Sequence, residues 1–304
     1  MARRQGRLSR FKESIAGPLQ VLRSPVSVCV IVAVTVIGAA VIAWHKYGDQ
    51  ILQNPKWVIT SDQIEITAPP DWIRSDIKAE VVRDSSLERM SILDRNLVQK
   101  VGDAFAIHSW VADVRRARKH TDRIVVELEY RRPVAMVEVV TNSRRGLIPV
   151  DRDGVILPTA DFSPNQTRDY LRLSIRGVKS FGVVGTPWDD ERVLDSAGIS
   201  AAWDSKWKPL GLYRIVAIEV TDIEQMEPSY IYEIHTRQGV RVIWGQATGK
   251  ESTDEATAAQ KVALLVKHAE EHGPLDESNH ATVLDVRSGK ITESTARTAQ
   301  KTRN

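Results

Sequence analysis

Cysteine is almost absent from this chain: Cys29 is the only one in 304 residues. It lies inside an uncharged apolar run, so the remainder has no disulfide and must hold its core by packing alone. A thiol nucleophile and a cysteine metal site are excluded there. An excess of one charge is lacking too, since the net charge is +3 and comes largely from the first 25 residues. There is no internal repeat and no glycine-rich loop ending in Gly-Lys-Ser/Thr. A Gly-x-Ser-x-Gly elbow and a His-Glu-x-x-His helix are also missing.

What is present begins with Val26 to Ala43, a strongly β-branched apolar run without a charge or a polar face. At 1.5 Å per residue it makes a helix of roughly 27 Å, close to the hydrocarbon thickness of a bilayer. Arg3, Arg4, Arg7, Arg10, Lys12 and Arg23 precede it against Glu13, and Trp44 and Tyr47 follow where interfacial aromatics belong. The expectation is a basic cytoplasmic leader over 1–25 and a transmembrane helix over 26–44. A tether over 45–57 then leads to an extracytoplasmic remainder. A cleavable signal peptide ending at Val41-Ile42-Ala43 is the alternative, but the run is longer than a signal core and the basic leader is long.

The exterior reads as two modules, 58–135 and 136–291, with a disordered tail over 292–304. Gln63 to Thr67 is a short strand, broken by Pro69-Pro70-Asp71, with Asp71 as helix cap. Ile73, Ile77 and Val81 mark one helix face. A second helix is expected from Ser91, where Ser91-x-x-Asp94 resembles a capping box, with Leu93, Leu97, Val101 and Phe105 buried and Gly102 a weak point. Strands over 110–118 and 124–130 complete a βααββ order. Beyond Pro133 the pattern is β-rich. Asp151-Arg152-Asp153-Gly154 predicts a hairpin between Val150 and Val155. A helix over 190–207 would place Trp203 and Trp207 one turn apart. A helix from Glu255 to His272, stopped by Gly273-Pro274, has the stripe Ala259, Val262, Leu265, Val266 and Ala269. Ala281 to Arg287 is the closing strand.

In this order the residues resemble the FtsQ/DivIB cell-division family. The family's Trp-Val-x-x-Val strand is met by Trp110-Val111-Ala112-Asp113-Val114, its Pro-Val-Ala step by Pro133-Val134-Ala135. Its Val-Asp-x-x-Gly hairpin is met by Val150 to Gly154, and its closing strand by Leu284-Asp285-Val286-Arg287. Ser109, Tyr130 and Val137 depart from the family pattern, and aromatic residues around Arg287-Ser288-Gly289 are missing. The resemblance implies an α+β protein: one transmembrane helix, a POTRA domain, then a β-rich domain with a late helix and closing strand.

That resemblance further implies a non-enzymatic inner-membrane scaffold of the division septum, without cofactor, metal, nucleic acid or small-molecule substrate. Its partners would be FtsL- and FtsB-like bitopic proteins, added as strands along Ala281–Ile291. Val283, Asp285, Arg287, Ser288 and Lys290 would make the contacts, and Pro133, Val134 and Ala135 would join the modules. A POTRA-bearing export or envelope-assembly factor is a second reading, without the repeated modules it would be expected to carry. His268-Ala269-Glu270-Glu271-His272 matches the inverted zinc-peptidase pattern. Little chain follows it to supply a third ligand, so solvated histidines at a helix end are favoured. Arg115, Arg116, Arg118 and Lys119 read as a solvated strand end, and the tryptophans as core. Asn165-Gln166-Thr167 is a formal glycosylation acceptor.

Overall fold

The computed structural model describes residues 25–52, 58–141, 144–179, 182–220, 229–275 and 282–295. The chain divides into two compact units, Met1–Thr60 with Ser86–Leu97, and Ser61–Ser85 with Val98–Asn304.

The first unit contains helix α1 (Pro25–Leu52). Its stretch Val28–Tyr47 is long and apolar enough to cross a membrane, and none of it is buried. A core helix of this composition would be covered. The Thr35 hydroxyl donates to the Ile31 carbonyl at 2.7 Å, which satisfies a polar side chain amid the valines and isoleucines. The expected tether from residue 45 is corrected: α1 continues through Lys46 to Leu52, because extending a started helix costs little where no proline intervenes. Residues 53–57 lie outside the described residues. In the same unit Val58 bridges Ser91, and the Ile59 amide donates to the Met90 carbonyl at 2.9 Å.

The second unit opens with β1 (Ile64–Ile66), α2 (Ile77–Asp84) and, past the unit boundary at Leu97, the bulk of α3 (Leu97–Ala106). β2 (Val111–Lys119) and β3 (Ile124–Tyr130) follow. The sheet order is β1-β3-β2, with β1 parallel and β2 antiparallel to β3. Two sequence expectations need correction. The cap of α2 is Asp76, which accepts from the Ala79 amide, not Asp71. Residues 71–75 are spent on a turn whose Arg74 and Ser75 amides donate to Asp161, so no helix starts there. The second helix begins at Leu97 rather than Ser91, because Ser91 and Asp94 close turns onto Leu93 and Asn96. Leu93 is accordingly exposed, whereas Val101 and Phe105 are fully buried. Gly102 faces β2: a Cβ there would lie 3.8 Å from the Ala117 Cβ.

Eight strands form the body: β4 (Pro133–Thr141), β5 (Arg144–Asp151), β6 (Leu171–Ser174), β7 (Leu212–Val220), β8 (Ser229–Thr236), β9 (Arg241–Gly245), β10 (Thr282–Asp285) and β11 (Thr292–Thr295). They lie in the order β11-β10-β9-β8-β7-β6-β4-β5. Helices α4 (Glu191–Trp203) and α5 (Ala258–His272) touch each other, and α4 packs on β4, β6 and β7. Asp190 caps α4, and Thr257 with Gln260 forms a capping box on α5, three residues later than the expected start at Glu255. α4 stops at Trp203, so Trp207 lies in the following turns. Trp188, Trp203 and Trp244 are all buried in one cluster with Leu171, Ile215 and Val262.

The Asp-Gly turn is tight, as expected, but it does not join two full strands. β5 pairs with β4, and Val155–Ile156 make only single bridges. Asp151 accepts from the Asp153 and Val155 amides, and Gly154 takes φ +71°. A Cβ at Gly154 would lie 3.1 Å from Leu194, so the close approach of α4 also demands glycine.

Candidate functional site

The residues expected to bind a partner fall on two different kinds of position. β10 lies inside the sheet, parallel to β9 on one side and antiparallel to β11 on the other. Both Val283 and Leu284 are 1% exposed, so both faces of β10 are covered. The expectation that Val283 is read by a partner is therefore corrected: its side chain is core. Asp285 is half-buried, while Arg287, Ser288 and Lys290 are exposed in the turn that follows. Ala281, the first residue of the expected strand, lies outside the described residues.

A second correction concerns the tail expected from Thr292. Thr292–Thr295 pairs along β10 as β11, in register Thr282↔Thr295 to Asp285↔Thr292. The expected strand Ala281–Ile291 is thus a short interior strand and a turn, and the sheet edge belongs to β11. Sequence reasoning missed β11 because Thr-Glu-Ser-Thr has no apolar alternation. Its threonines carry the only strand propensity there.

The turn between β10 and β11 is tied down from two directions. Arg287 makes a forked pair with Asp285, its Nε and Nη2 at 3.0 and 2.6 Å from Oδ1 and Oδ2. Burial alone would raise the Asp285 carboxyl, but the Arg287 side-chain and amide hydrogen bonds outweigh it and hold the carboxyl below its usual range. The Arg287 carbonyl accepts from the Ala256 amide at 2.7 Å. Next to Ala256, Glu255 accepts from the Gln246 amide at 2.9 Å and from the Lys261 ammonium at 2.5 Å. Lys261 is wholly buried, and its Nζ stands 5.0 Å from the Trp244 ring centroid. Gly245 (φ +95°) lets this happen, since a Cβ there would strike Glu255 and Arg287. A shallow groove along this end is lined by Asp254, Glu255, Asp285, Arg287 and Ser288.

The expected joint, Pro133-Val134-Ala135, opens β4: Pro133 and Ala135 are buried and Val134 is half-buried. Just before it, the Arg131 guanidinium pairs with the buried Asp151 at 2.8 Å. Arg131 also receives the Trp72 indole N–H on its carbonyl at 3.1 Å, and its amide donates to the Trp110 carbonyl.

The strongest fastening, however, was not legible in the sequence. Asp161, 3% exposed, accepts from the Trp110 indole at 2.7 Å, the Ser75 amide at 2.7 Å and the Arg74 amide at 3.0 Å. The Ser75 hydroxyl adds a fourth donor at 3.3 Å. An aspartate in a polar loop gives no sign that four donors converge on it from more than 50 residues away.

The His268 and His272 rings stack at 4.4 Å, and His272 Nδ1 lies 3.1 Å from the His268 carbonyl. Glu293 is 3.8 Å from His268. Among the described residues no group of three or more His, Cys, Asp or Glu side chains is placed to hold a metal ion. Arg115 on β2 pairs on the surface with Asp113 of the same strand and with Glu129 of β3. No protein-family model matches the chain, and no curated protein matches it.

Proposed function

We propose that this chain is a non-enzymatic membrane scaffold of the FtsQ/DivIB kind, anchored by α1 with its basic leader in the cytoplasm. In this reading residues 58–135 correspond to the POTRA domain, supported by the order β1-α2-α3-β2-β3. The body then binds FtsL- and FtsB-like bitopic proteins of the division septum. The observation that carries the reading is the place of β11 at one end of the eight-stranded sheet, with no further strand beside it among the described residues. An edge strand offers unpaired N–H and C=O groups, and an extended partner segment can extend the sheet by pairing with them.

The exposed Arg287, Ser288 and Lys290 beside that edge supply side-chain selectivity, while Val283 contributes only packing. Brevity and polarity protect β11 from indiscriminate pairing, and a held turn lowers the ordering cost on binding.

Photo-crosslinking from Ser294 and Thr292 in native membranes tests the reading. Adducts to small single-span proteins are expected from these positions and not from Glu65 on β1. Recovery of no such adduct, or equal recovery from β1, would place the contact elsewhere. A reporter fused at Arg3 should read as cytoplasmic, since cations flanking a span favour that side. A soluble form beginning near Trp44 would overturn the anchor.

A further inference from the structure

A cavity of about 760 Å³ opens where Pro133 leads from the three-stranded module into the eight-stranded body. This is the size range of sites that enclose a small organic molecule. It belongs to the second unit throughout, and neither the β11 edge nor the partner-binding reading involves it.

Its wall chemistry is unusual for a structural joint. Trp72, Tyr130 and Tyr170 line it, and all three are half-buried. The Trp72 indole N–H is committed to the Arg131 carbonyl and the Tyr130 hydroxyl to the Thr67 carbonyl. Trp72 therefore has only ring carbon left to offer a ligand, and Tyr130 offers its ring and a hydroxyl oxygen that can only accept. Tyr170 differs: its hydroxyl has no hydrogen-bond partner among the described residues, and burial raises its pKa, so it remains a neutral donor and acceptor.

The charges are equally informative. Arg131 pairs with Asp151 at 2.8 Å, Arg132 with Asp204 at 2.7 Å and Lys208 with Asp169 at 3.0 Å. Each of these cations already has its carboxylate, so the cavity has little free positive charge for a phosphate or a polyanion. Yet each pair keeps spare N–H groups and lone pairs, because a carboxylate accepts at about four sites and a guanidinium donates at five. Arg131 Nε is itself buried without a partner. Asp204 is held at φ +50° at the end of α4, a strained position for a non-glycine residue, with its carboxylate on Arg132.

We propose that this cavity binds a neutral, hydroxyl-rich ligand, namely an oligosaccharide of roughly two to four rings. Sugar C–H faces pack on the exposed ring carbon of Trp72 and Tyr130. Hydroxyls bridge the paired carboxylates and guanidinium groups, each acting as donor to one and acceptor from the other. The Tyr170 hydroxyl gains the partner it lacks.

The test uses the full chain in phospholipid nanodiscs, free of glycoside detergents that would compete. Chitotetraose and cellotetraose are titrated against tryptophan fluorescence and saturation-transfer NMR. Saturable binding of at least one is expected, with inorganic polyphosphate inert. Tyr170→Phe should weaken it about 3- to 10-fold, the size of one hydrogen bond. Asp204→Asn, which tolerates the backbone conformation, should weaken it comparably. Trp72→Ala should cost more than about tenfold, and circular dichroism with Trp72→Phe controls for folding. Absence of binding by either sugar up to about 10 mM, a Kd that corresponds to under 3 kcal/mol, would overturn the proposal. Affinity unchanged in folded Tyr170→Phe and Asp204→Asn variants would do the same, as would tighter binding of polyphosphate. Crosslinking from β11 should be unchanged in these variants, which separates this result from the partner-binding one.

Discussion

Replacing Asp161 removes one acceptor from four donors at once, and its consequence can be worked from the geometry. Trp110 and Asp161 are both buried, so an indole N–H left without Asp161 Oδ2 has no water to replace it. A buried donor stripped of its acceptor costs about 1–3 kcal/mol. In Asp161→Asn one carboxyl oxygen becomes an NH2 group. Either orientation of the amide then sets donor against donor, at Trp110 or at the Arg74 and Ser75 amides. The expected destabilisation is about 1–3 kcal/mol for asparagine and about 3–5 kcal/mol for alanine, in the upper tail of single substitutions. Urea unfolding of the full chain measures the total, and hydrogen exchange at the Arg74 and Ser75 amides locates it. Trp110→Phe completes a double-mutant cycle, for which a coupling of about 1–3 kcal/mol is expected between contacting residues. Coupling near zero, with both amides still protected in Asp161→Asn, would refute the assignment of Asp161 as the fastening point.

Three further outcomes follow from the packing. Gly102→Ala should stabilise the protein by about 0.5–1 kcal/mol, because helix propensity improves and the added methyl meets β2 at ordinary contact distance; a loss seen by urea titration would show that α3 lies closer to the sheet. Lys261→Ala should cost about 3–5 kcal/mol by stranding Glu255, whereas Lys261→Met with Glu255→Gln should recover most of it; equal losses in both would mean the pair is not the source. The folded carboxyl of Asp285 lies below its unfolded value of about 3.9. Its contribution is therefore fully present above about pH 4 and lost as pH falls through the folded value. The thermal-stability difference between the parent and Arg287→Met should be constant from pH 5 to 8 and shrink in acid, and a difference that vanishes near neutrality would point to another group.

Where one face of an element is buried, its sequence was readable. Ile124, Val126 and Leu128 alternate because β3 has a covered and an open side, and Val262 and Leu265 repeat because α5 lies on the body. Element starts were read less well, and for a common reason: local capping signals compete with distant hydrogen bonds. Asp71 and Ser91 have the right residue types for caps. However, Asp161 claims the amides after Asp71, and Ser91 is drawn into a bridge with Val58. Neither competitor is within reach of a window reading. The site divides along the same line. Asp285 and Arg287 are two residues apart and form a local pair, so their position was legible. The burial of Val283 depends on a strand that follows it and on β9, some forty residues earlier, and alternation alone could not supply that.

The buried Lys261 is the point where packing and the proposed binding edge meet. A lysine with no exposed surface is costly to desolvate, and hydrophobic replacements of such pairs are often as stable. Its location accounts for the cost in another currency. Lys261 fixes Glu255, Glu255 holds the Gln246 amide, and the adjoining Ala256 amide holds the Arg287 carbonyl. The turn that presents β11 is thereby connected through one peptide unit to the Trp244 core. A methionine at 261 would fill the volume, but it would leave Glu255 free to choose another rotamer, and with it the loop against Arg287. Here the ion pair selects the Glu255 rotamer that also accepts from the Gln246 amide. At a sheet edge too short to define its own register, that specificity sets where the exposed Arg287, Ser288 and Lys290 stand relative to the strand.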